Sequence, residues 1–155
     1  MSGWLGWINI EENPDFEGCG VYKVRLVDLK GFPIEIPRFL GNDKDGILQI
    51  SRSENVRKGI NFFRGAIEGK KYANAEGKRL YVLNKYTNLT GIHKNYRLQY
   101  SFTKWADKRE ARTEQERVLK WYIKRYGEVP PTNNNLTEKY IDWESLNYDE
   151  SPDLR

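Results

Sequence analysis

The sequence predicts an α+β fold, with a small, mostly antiparallel three-stranded sheet flanked by helices. Residues 20–27 (GVYKVRLV) and 96–102 (YRLQYSF) alternate apolar and polar side chains, which is the period of half-buried strands. Residues 47–51 (ILQIS) form a short apolar run that is typical of a buried strand, and a helical pattern follows it directly. We therefore expect two or three helices to cover the sheet.

The helix that follows residues 47–51 is amphipathic. Its apolar residues recur at spacings of four, three and four, which places them on one helical face. Ser53 can accept a hydrogen bond from an N–H at the helix start, and Gly69 is a fitting stop. The apolar face carries Val56, Ile60, Phe63 and Ile67, and the opposite face carries Arg57, Lys58 and Arg64.

Turn and capping residues delimit the other elements. Residues 34–36 are typical of a short edge strand closed by Pro37, and residues 77–86 of a short helix. Asp107, with Glu110 three residues later, gives an N-terminal capping pattern for a long helix. That helix is expected to reach about Tyr126, because Gly127 follows it.

The chain predicts one domain over residues 1–133 and an acidic, aromatic extension over residues 134–155. The extension has 2 basic and 6 acidic residues and includes Trp143. We expect it to pack on the domain, since tryptophans are usually buried. The alternative is that its acids fold back over basic residues and mimic DNA.

Charge is distributed unevenly around a net value of +4. Residues 52–125 contain 19 Lys and Arg against 7 Asp and Glu, a balance of 19 − 7 = +12, which leaves −8 elsewhere. A basic middle of this kind predicts a polyanionic partner, with nucleic acid first; the alternative is a set of solvated helix faces.

Cysteine and histidine counts exclude two kinds of stabilisation. One cysteine and one histidine permit neither an internal disulfide nor a Cys/His zinc cage. The sequence has no apolar run of membrane-spanning length and no signal-peptide pattern at its start, so we expect a cytoplasmic protein.

Taken together, these segments resemble the GIY-YIG endonuclease superfamily. Gly20-Val21-Tyr22 resembles the first motif, and Gly46–Ser51 (GILQIS) stands where typical members have GILYIG. Ser53–Arg57 resembles the following S-x-N-L-R helix start. Glu116 and Asn133, the latter after two prolines, match the acidic ligand and the late asparagine. The resemblance covers Gly20 to Asn133, and it makes Asp28 to Asp45 an inserted hairpin.

The resemblance implies roles for individual residues. Tyr22 would help activate the nucleophile, and Glu116 would hold one Mg²⁺ or Mn²⁺ ion. An arginine of the first helix would steady the phosphoryl oxygens, with Asn133 completing the site. The partner would be double-stranded DNA, and the expected phosphate contacts are Arg52, Arg57, Lys58, Arg64, His93 and Lys94.

Three departures from the family pattern put catalysis in doubt. Gln49 replaces the tyrosine of the second motif, Ser51 replaces its glycine, and Gly59 occupies the position of the helix arginine. Gln49 has no titratable group and Gly59 has no charge. The sequence therefore predicts a nucleic-acid-binding domain with impaired cleavage.

Two alternative functions and several ordinary structural roles remain open at this point. The functions are an active metal-dependent endonuclease and a protein-interaction module on the same scaffold. Tyr22 is equally compatible with a core aromatic residue, and Glu116 with a surface acid that pairs with Lys120. Asn133 is also compatible with a turn residue.

Overall fold

The computed structural model describes residues 3–70, 75–86 and 96–133. This part of the chain has an α+β fold with a four-stranded sheet, a two-stranded sheet and three helices. The elements are β1 (Ile8–Asn9), β2 (Gly20–Asp28), β3 (Ile36–Arg38), β4 (Gly41–Asp43), β5 (Ile47–Ser53), α1 (Val56–Ile67), α2 (Ala75–Tyr86), β6 (Tyr96–Lys104) and α3 (Lys108–Tyr126).

The main sheet has the strand order β1-β6-β2-β5, and all its pairs are antiparallel. The predicted count of three strands is wrong, because Ile8 and Asn9 pair with Tyr100 and Gln99 of β6. A two-residue strand is too short to show an alternating pattern, so its pairing could not be predicted from the sequence. The antiparallel character and the three longer strands are confirmed.

Two apolar cores lie on opposite faces of this sheet. The first, on what we call the α1 face, packs Val24 and Leu48 against Ile60 and Phe63 of α1. The second, on the α3 face, packs strand residues against α3 and contains Val21, Ile47, Ile50, Val118 and Tyr122. Because both faces are covered, β2 is buried along almost its whole length.

Lys23 shows how completely the α3 face is covered. The alternation of β2 predicts polar side chains there, yet Lys23 is fully buried. Its Nζ lies 4.3 Å from the Trp4 ring centroid and 5.0 Å from that of Trp7. Such cation–π contacts offset part of the cost of removing an ammonium group from water. The two tryptophans therefore act as the packed N-terminal cover of the sheet.

The segment between Asp28 and Asp45 contains a hairpin, formed by β3 and β4. The predicted strand at 34–36 is misplaced, since the observed strand runs over Ile36–Arg38 and includes Pro37. Proline is tolerated there because β3 has only one strand neighbour. Asp43 fixes the return to β5 by accepting hydrogen bonds from Ile47 N (3.0 Å) and Tyr122 Oη (2.8 Å).

Capping residues set the ends of the helices. Asn55, and not Ser53, is the N-cap of α1, and its side chain accepts from Lys58 N at 3.0 Å. Asp107 caps α3 as predicted. Gly69 and Gly127, with φ of +82° and +78°, follow α1 and α3 in the left-handed conformation that glycine favours. No described helix is both long and apolar enough to cross a membrane.

Candidate functional site

Register brings the two sequence motifs together on the α1 face. Tyr22 of β2 is paired directly with Ser51 of β5, and Val24 with Gln49. Directly paired residues point to the same side of a sheet, so Tyr22, Gln49 and Ser51 share one face. Gln49 Nε2 donates to Ser51 Oγ at 2.6 Å. The two positions that the resemblance compares with the motif tyrosines, Tyr22 and Gln49, therefore lie on neighbouring strands.

Gly59 of α1 lies close to Tyr22 and Ser53 of the sheet. A Cβ added at Gly59 would come within 2.9 Å of Ser53 Cβ and 3.2 Å of Tyr22 Cε1. Contacts that short require a shift of the strand or the helix. Gly59 is thus a close-approach residue between α1 and the sheet, and α1 projects no cation from this position towards Tyr22.

Burial limits what the paired residues can do chemically. Tyr22 is 3% exposed and Gln49 is fully buried. A general base must come within hydrogen-bond reach of the substrate proton, and a buried side chain does not offer that reach without movement. Gln49 Oε1 has no hydrogen-bond partner within the described residues. Here Tyr22 and Gln49 are core residues of the α1 face.

Asn133 lies at the outer edge of β5, where it replaces a neighbouring strand. Its Oδ1 accepts from Ile50 N at 2.9 Å and its Nδ2 donates to Ile50 O at 2.8 Å. Thr132 N and Thr132 Oγ1 both donate to Leu48 O, at 2.9 and 2.8 Å. These bonds satisfy backbone groups that an edge strand otherwise leaves unpaired. Asn133 therefore has a structural role that the sequence pattern did not indicate.

Glu116 stands on α3 close to the same edge of β5. The preceding residue, Gln115, donates from Nε2 to Ile50 O at 3.4 Å. Successive helix residues are about 100° apart around the axis, so Glu116 points to the flank of this contact. Its Oε1 pairs with Arg112 Nε at 3.0 Å, an i,i+4 ion pair with Arg112 in place of the one considered with Lys120.

The fit of Glu116 to a divalent metal is poor. Mg²⁺ is usually held by one or two carboxylates and several waters, but the guanidinium of Arg112 already neutralises this carboxylate. Among the described residues no group of three His, Cys, Asp or Glu side chains could hold a metal ion. We therefore derive no catalytic step through a metal at Glu116.

Two of the predicted phosphate contacts are bonded to the protein itself. Arg57 Nε donates to Pro14 O at 3.1 Å, and its Nη1 pairs with Glu17 at 2.7 Å. Arg64 Nε donates to Ile10 O at 2.8 Å. Both arginines thus fasten the segment before β2 to α1, a role that depends on residues at least 40 positions away.

Arg52 and Lys58 present a different picture, since both are exposed. Arg52 lines a cleft of about 220 Å³ between the starts of α1 and α3. Lys108, from the first turn of α3, lines the same cleft and lies 3.6 Å from Glu54. Two helix N-termini, with their partial positive charge, therefore meet at a cleft lined by two basic side chains and by Glu54. His93 and Lys94 lie outside the described residues.

One cation near the edge of β5, Arg79, was not among the predicted phosphate contacts. Arg79 of α2 donates from Nη1 to Asn133 O at 2.9 Å. No motif marks Arg79, because its proximity to Asn133 arises only from the packing of α2.

Comparison of this chain with family models, with curated proteins and with solved structures gave no match.

Proposed function

We propose that this chain is a nucleic-acid-binding domain on a GIY-YIG-like scaffold, with double-stranded DNA as its partner and little or no nuclease activity. The supporting observation is the exposed Arg52 at the end of β5, beside Lys108, where α1 and α3 begin. Cations grouped on one surface bind a phosphate backbone through charge and release counterions. Such contacts position the duplex without reading its bases.

The start of α1 contributes most of the helix-dipole attraction. Its N-cap, Asn55, is neutral, and its first turn contains no acidic residue. The start of α3 contributes less, because Asp107 and Glu110 lie there. Lys58 and Arg109 are exposed within the first turns of α1 and α3 respectively. The expected footprint therefore centres on Arg52 and Lys58, with Lys108 and Arg109 at its border.

The same geometry argues against efficient cleavage. Gln49 cannot act as a base, Tyr22 is buried, and a cation at position 59 would collide with the sheet. Loss of one base or one charge-stabilising group costs on the order of 10²–10³ in rate. The absence of two such groups, with the remaining tyrosine enclosed, favours binding without turnover.

Fluorescence anisotropy with a short labelled duplex tests the binding. Affinity should fall linearly with salt on a double-logarithmic plot, by about 0.9 in slope for each phosphate contact. Arg52→Ala removes about one phosphate contact and should therefore reduce the magnitude of that slope by about 0.9. Arg97→Ala removes an exposed arginine from β6, at a distance from the cleft, and should leave the slope unchanged. Absence of binding at low salt, or affinity independent of salt, would refute the proposal.

A plasmid-nicking assay with Mg²⁺ or Mn²⁺ tests the second half of the proposal. We expect no nicking above that of a Glu116→Ala preparation. Metal-dependent nicking by the unmodified chain that Glu116→Ala abolishes would establish an active endonuclease and overturn the impaired centre. Equal nicking by both preparations would identify a contaminating nuclease and leave the chain without cleavage of its own.

A further inference from the structure

We infer that Arg79 of α2 binds a phosphodiester group at the outer edge of β5, and so supplies the cation that α1 does not supply at Gly59. This inference rests on the proposed function, since the ligand is a phosphate of the bound nucleic acid. The edge itself is defined by Leu48 and Ile50, whose backbone groups bond Thr132 and Asn133. Nothing in the sequence motifs assigns a role to Arg79.

A chain of short contacts locates Arg79. Its Nη1 lies 2.9 Å from Asn133 O, and the Asn133 side chain bonds both backbone groups of Ile50 at 2.8–2.9 Å. Ile50 stands between Gln49 and Ser51, the departures in the second motif. The guanidinium is therefore separated from that motif by one hydrogen-bonded residue, although it comes from a helix 29 positions further along the chain.

The donor inventory of arginine leaves capacity for a ligand. A guanidinium has five N–H donors in a planar fork, and the bond to Asn133 O uses one of them. That bond also restricts the orientation of the fork, which lowers the entropy cost of binding a second group. Arg79 is exposed, so a phosphate can approach it from solvent.

The packing of α2 fixes the position of this side chain. Leu80, the next residue, is 7% exposed and belongs to the core on the α1 face. Gly77 is also buried. With its neighbours anchored in this way, α2 presents Arg79 from above the α1 face towards the edge of β5. Arg57 and Arg64, by contrast, are turned towards the segment before β2.

Arg52 lies further along the same strand, which gives the edge two cations. Two residues of an extended strand span about 6.8 Å, so Arg52 follows Ile50 by that distance along β5. A phosphate backbone that runs along this edge would meet Arg79 first and Arg52 next. The two arginines come from different elements and meet only in the folded chain.

The decisive variants separate the charge of Arg79 from its hydrogen bond. Arg79→Gln keeps a donor for Asn133 O but removes the charge, whereas Arg79→Lys keeps the charge. For the short duplex, we expect Arg79→Gln to weaken binding about tenfold and to lower the salt slope by about 0.9. Arg79→Lys should keep the slope of the unmodified chain. The control Arg97→Ala removes an equal charge and should change neither quantity.

The outcomes distinguish the two proposals. If the unmodified chain binds DNA and Arg79→Gln binds it with the same affinity and slope, the inference is wrong while the proposed function stands. If Arg79→Gln weakens binding but Arg79→Lys does so equally and without a change in slope, Arg79 is merely structural and the inference is again wrong. If the unmodified chain does not bind DNA at low salt, both proposals fail. Thermal unfolding of each variant shows whether the fold is retained.

Discussion

Asn133→Ala should destabilise the fold strongly, although Asn133 was expected to belong to a catalytic site. Asn133 is 8% exposed, and Ile50 is fully buried. Removal of the amide deprives Ile50 N of its acceptor at 2.9 Å, and a buried N–H without a partner costs about 1–3 kcal/mol. The bond from Nδ2 to Ile50 O contributes about 1 kcal/mol more, since Gln115 still donates to that oxygen at 3.4 Å.

The expected loss is therefore about 2–4 kcal/mol, a large part of the roughly 5–15 kcal/mol that stabilises a typical domain. Urea unfolding measures it directly. With an m-value of about 2 kcal/mol/M, the midpoint should fall by roughly 1–2 M while m stays constant. Asn61→Ala, at an exposed position of α1, is the matched control and should change stability by less than about 0.5 kcal/mol.

Asn133→Asp tests the same contacts through the pH dependence of stability. The carboxylate still accepts from Ile50 N, but its second oxygen faces Ile50 O, so the folded state favours the protonated acid. The pKa of that acid should be higher in the folded than in the unfolded chain. Its stabilising effect is therefore present at low pH and is lost as pH rises through the folded pKa. A loss below about 0.5 kcal/mol for Asn133→Ala, or no pH dependence specific to Asn133→Asp, would refute the proposed edge contacts.

Two further predictions concern packing and pH. Gly59→Ala should lower the thermal midpoint by an amount equivalent to about 1–3 kcal/mol, despite the better helix propensity of alanine, because the new Cβ would collide with the sheet. The control is Gly65→Ala, which should be neutral or stabilising. Its Cβ would meet only the flexible Lys70 side chain, at 3.3 Å. Equal effects of the two substitutions would contradict the close approach at Gly59. Burial raises the pKa of Asp43, so ionisation of this carboxyl group weakens the fold as pH rises through that pKa. Tyr122 Oη donates a hydrogen bond to Asp43, and this bond is stronger to the ionised carboxylate. Tyr122→Phe should therefore lower stability further, by about 1–3 kcal/mol, and the loss should grow over the same pH range. Urea midpoints measured from acid to neutral pH test this, and a penalty that is constant with pH would count against it.

Local signals explain why most of the fold could be predicted. The alternation of β2 and β6, the helical face of α1 and the capping pattern at Asp107 each depend on residues close together in the chain. The failures are non-local. β1 exists only through β6, and Lys23 is buried only because Trp4 and Trp7 lie over it.

In the candidate site, too, local patterns could be predicted from the sequence and non-local contacts could not. The resemblance predicted that Tyr22, Gln49 and Gly59 belong to one site; in the structure Tyr22 and Gln49 share one face of the sheet, and Gly59 of α1 packs close to Tyr22. The sequence could not indicate that Arg57 and Arg64 donate hydrogen bonds to backbone carbonyls of the segment before β2. Nor could it indicate the edge contacts of Asn133, which join residues 83 positions apart.

Packing restricts the side chains that positions 49 and 59 can hold. An arginine at 59 would have to displace Ser53 or Tyr22, because even a Cβ there comes within 2.9 and 3.2 Å of them. A tyrosine at position 49 would place a bulkier, aromatic side chain where Gln49 is already fully enclosed. Either substitution alone would therefore strain the interface between α1 and the sheet, and both together would need α1 to move outward. Since one outward shift of α1 would make room for both side chains, the double substitution should cost less than the sum of the single ones. With α1 held this close, the exposed cations nearest to this part of the sheet include Arg79 and Arg52 at the edge of β5 and Lys58 at the start of α1, and this is where we propose that the nucleic acid binds.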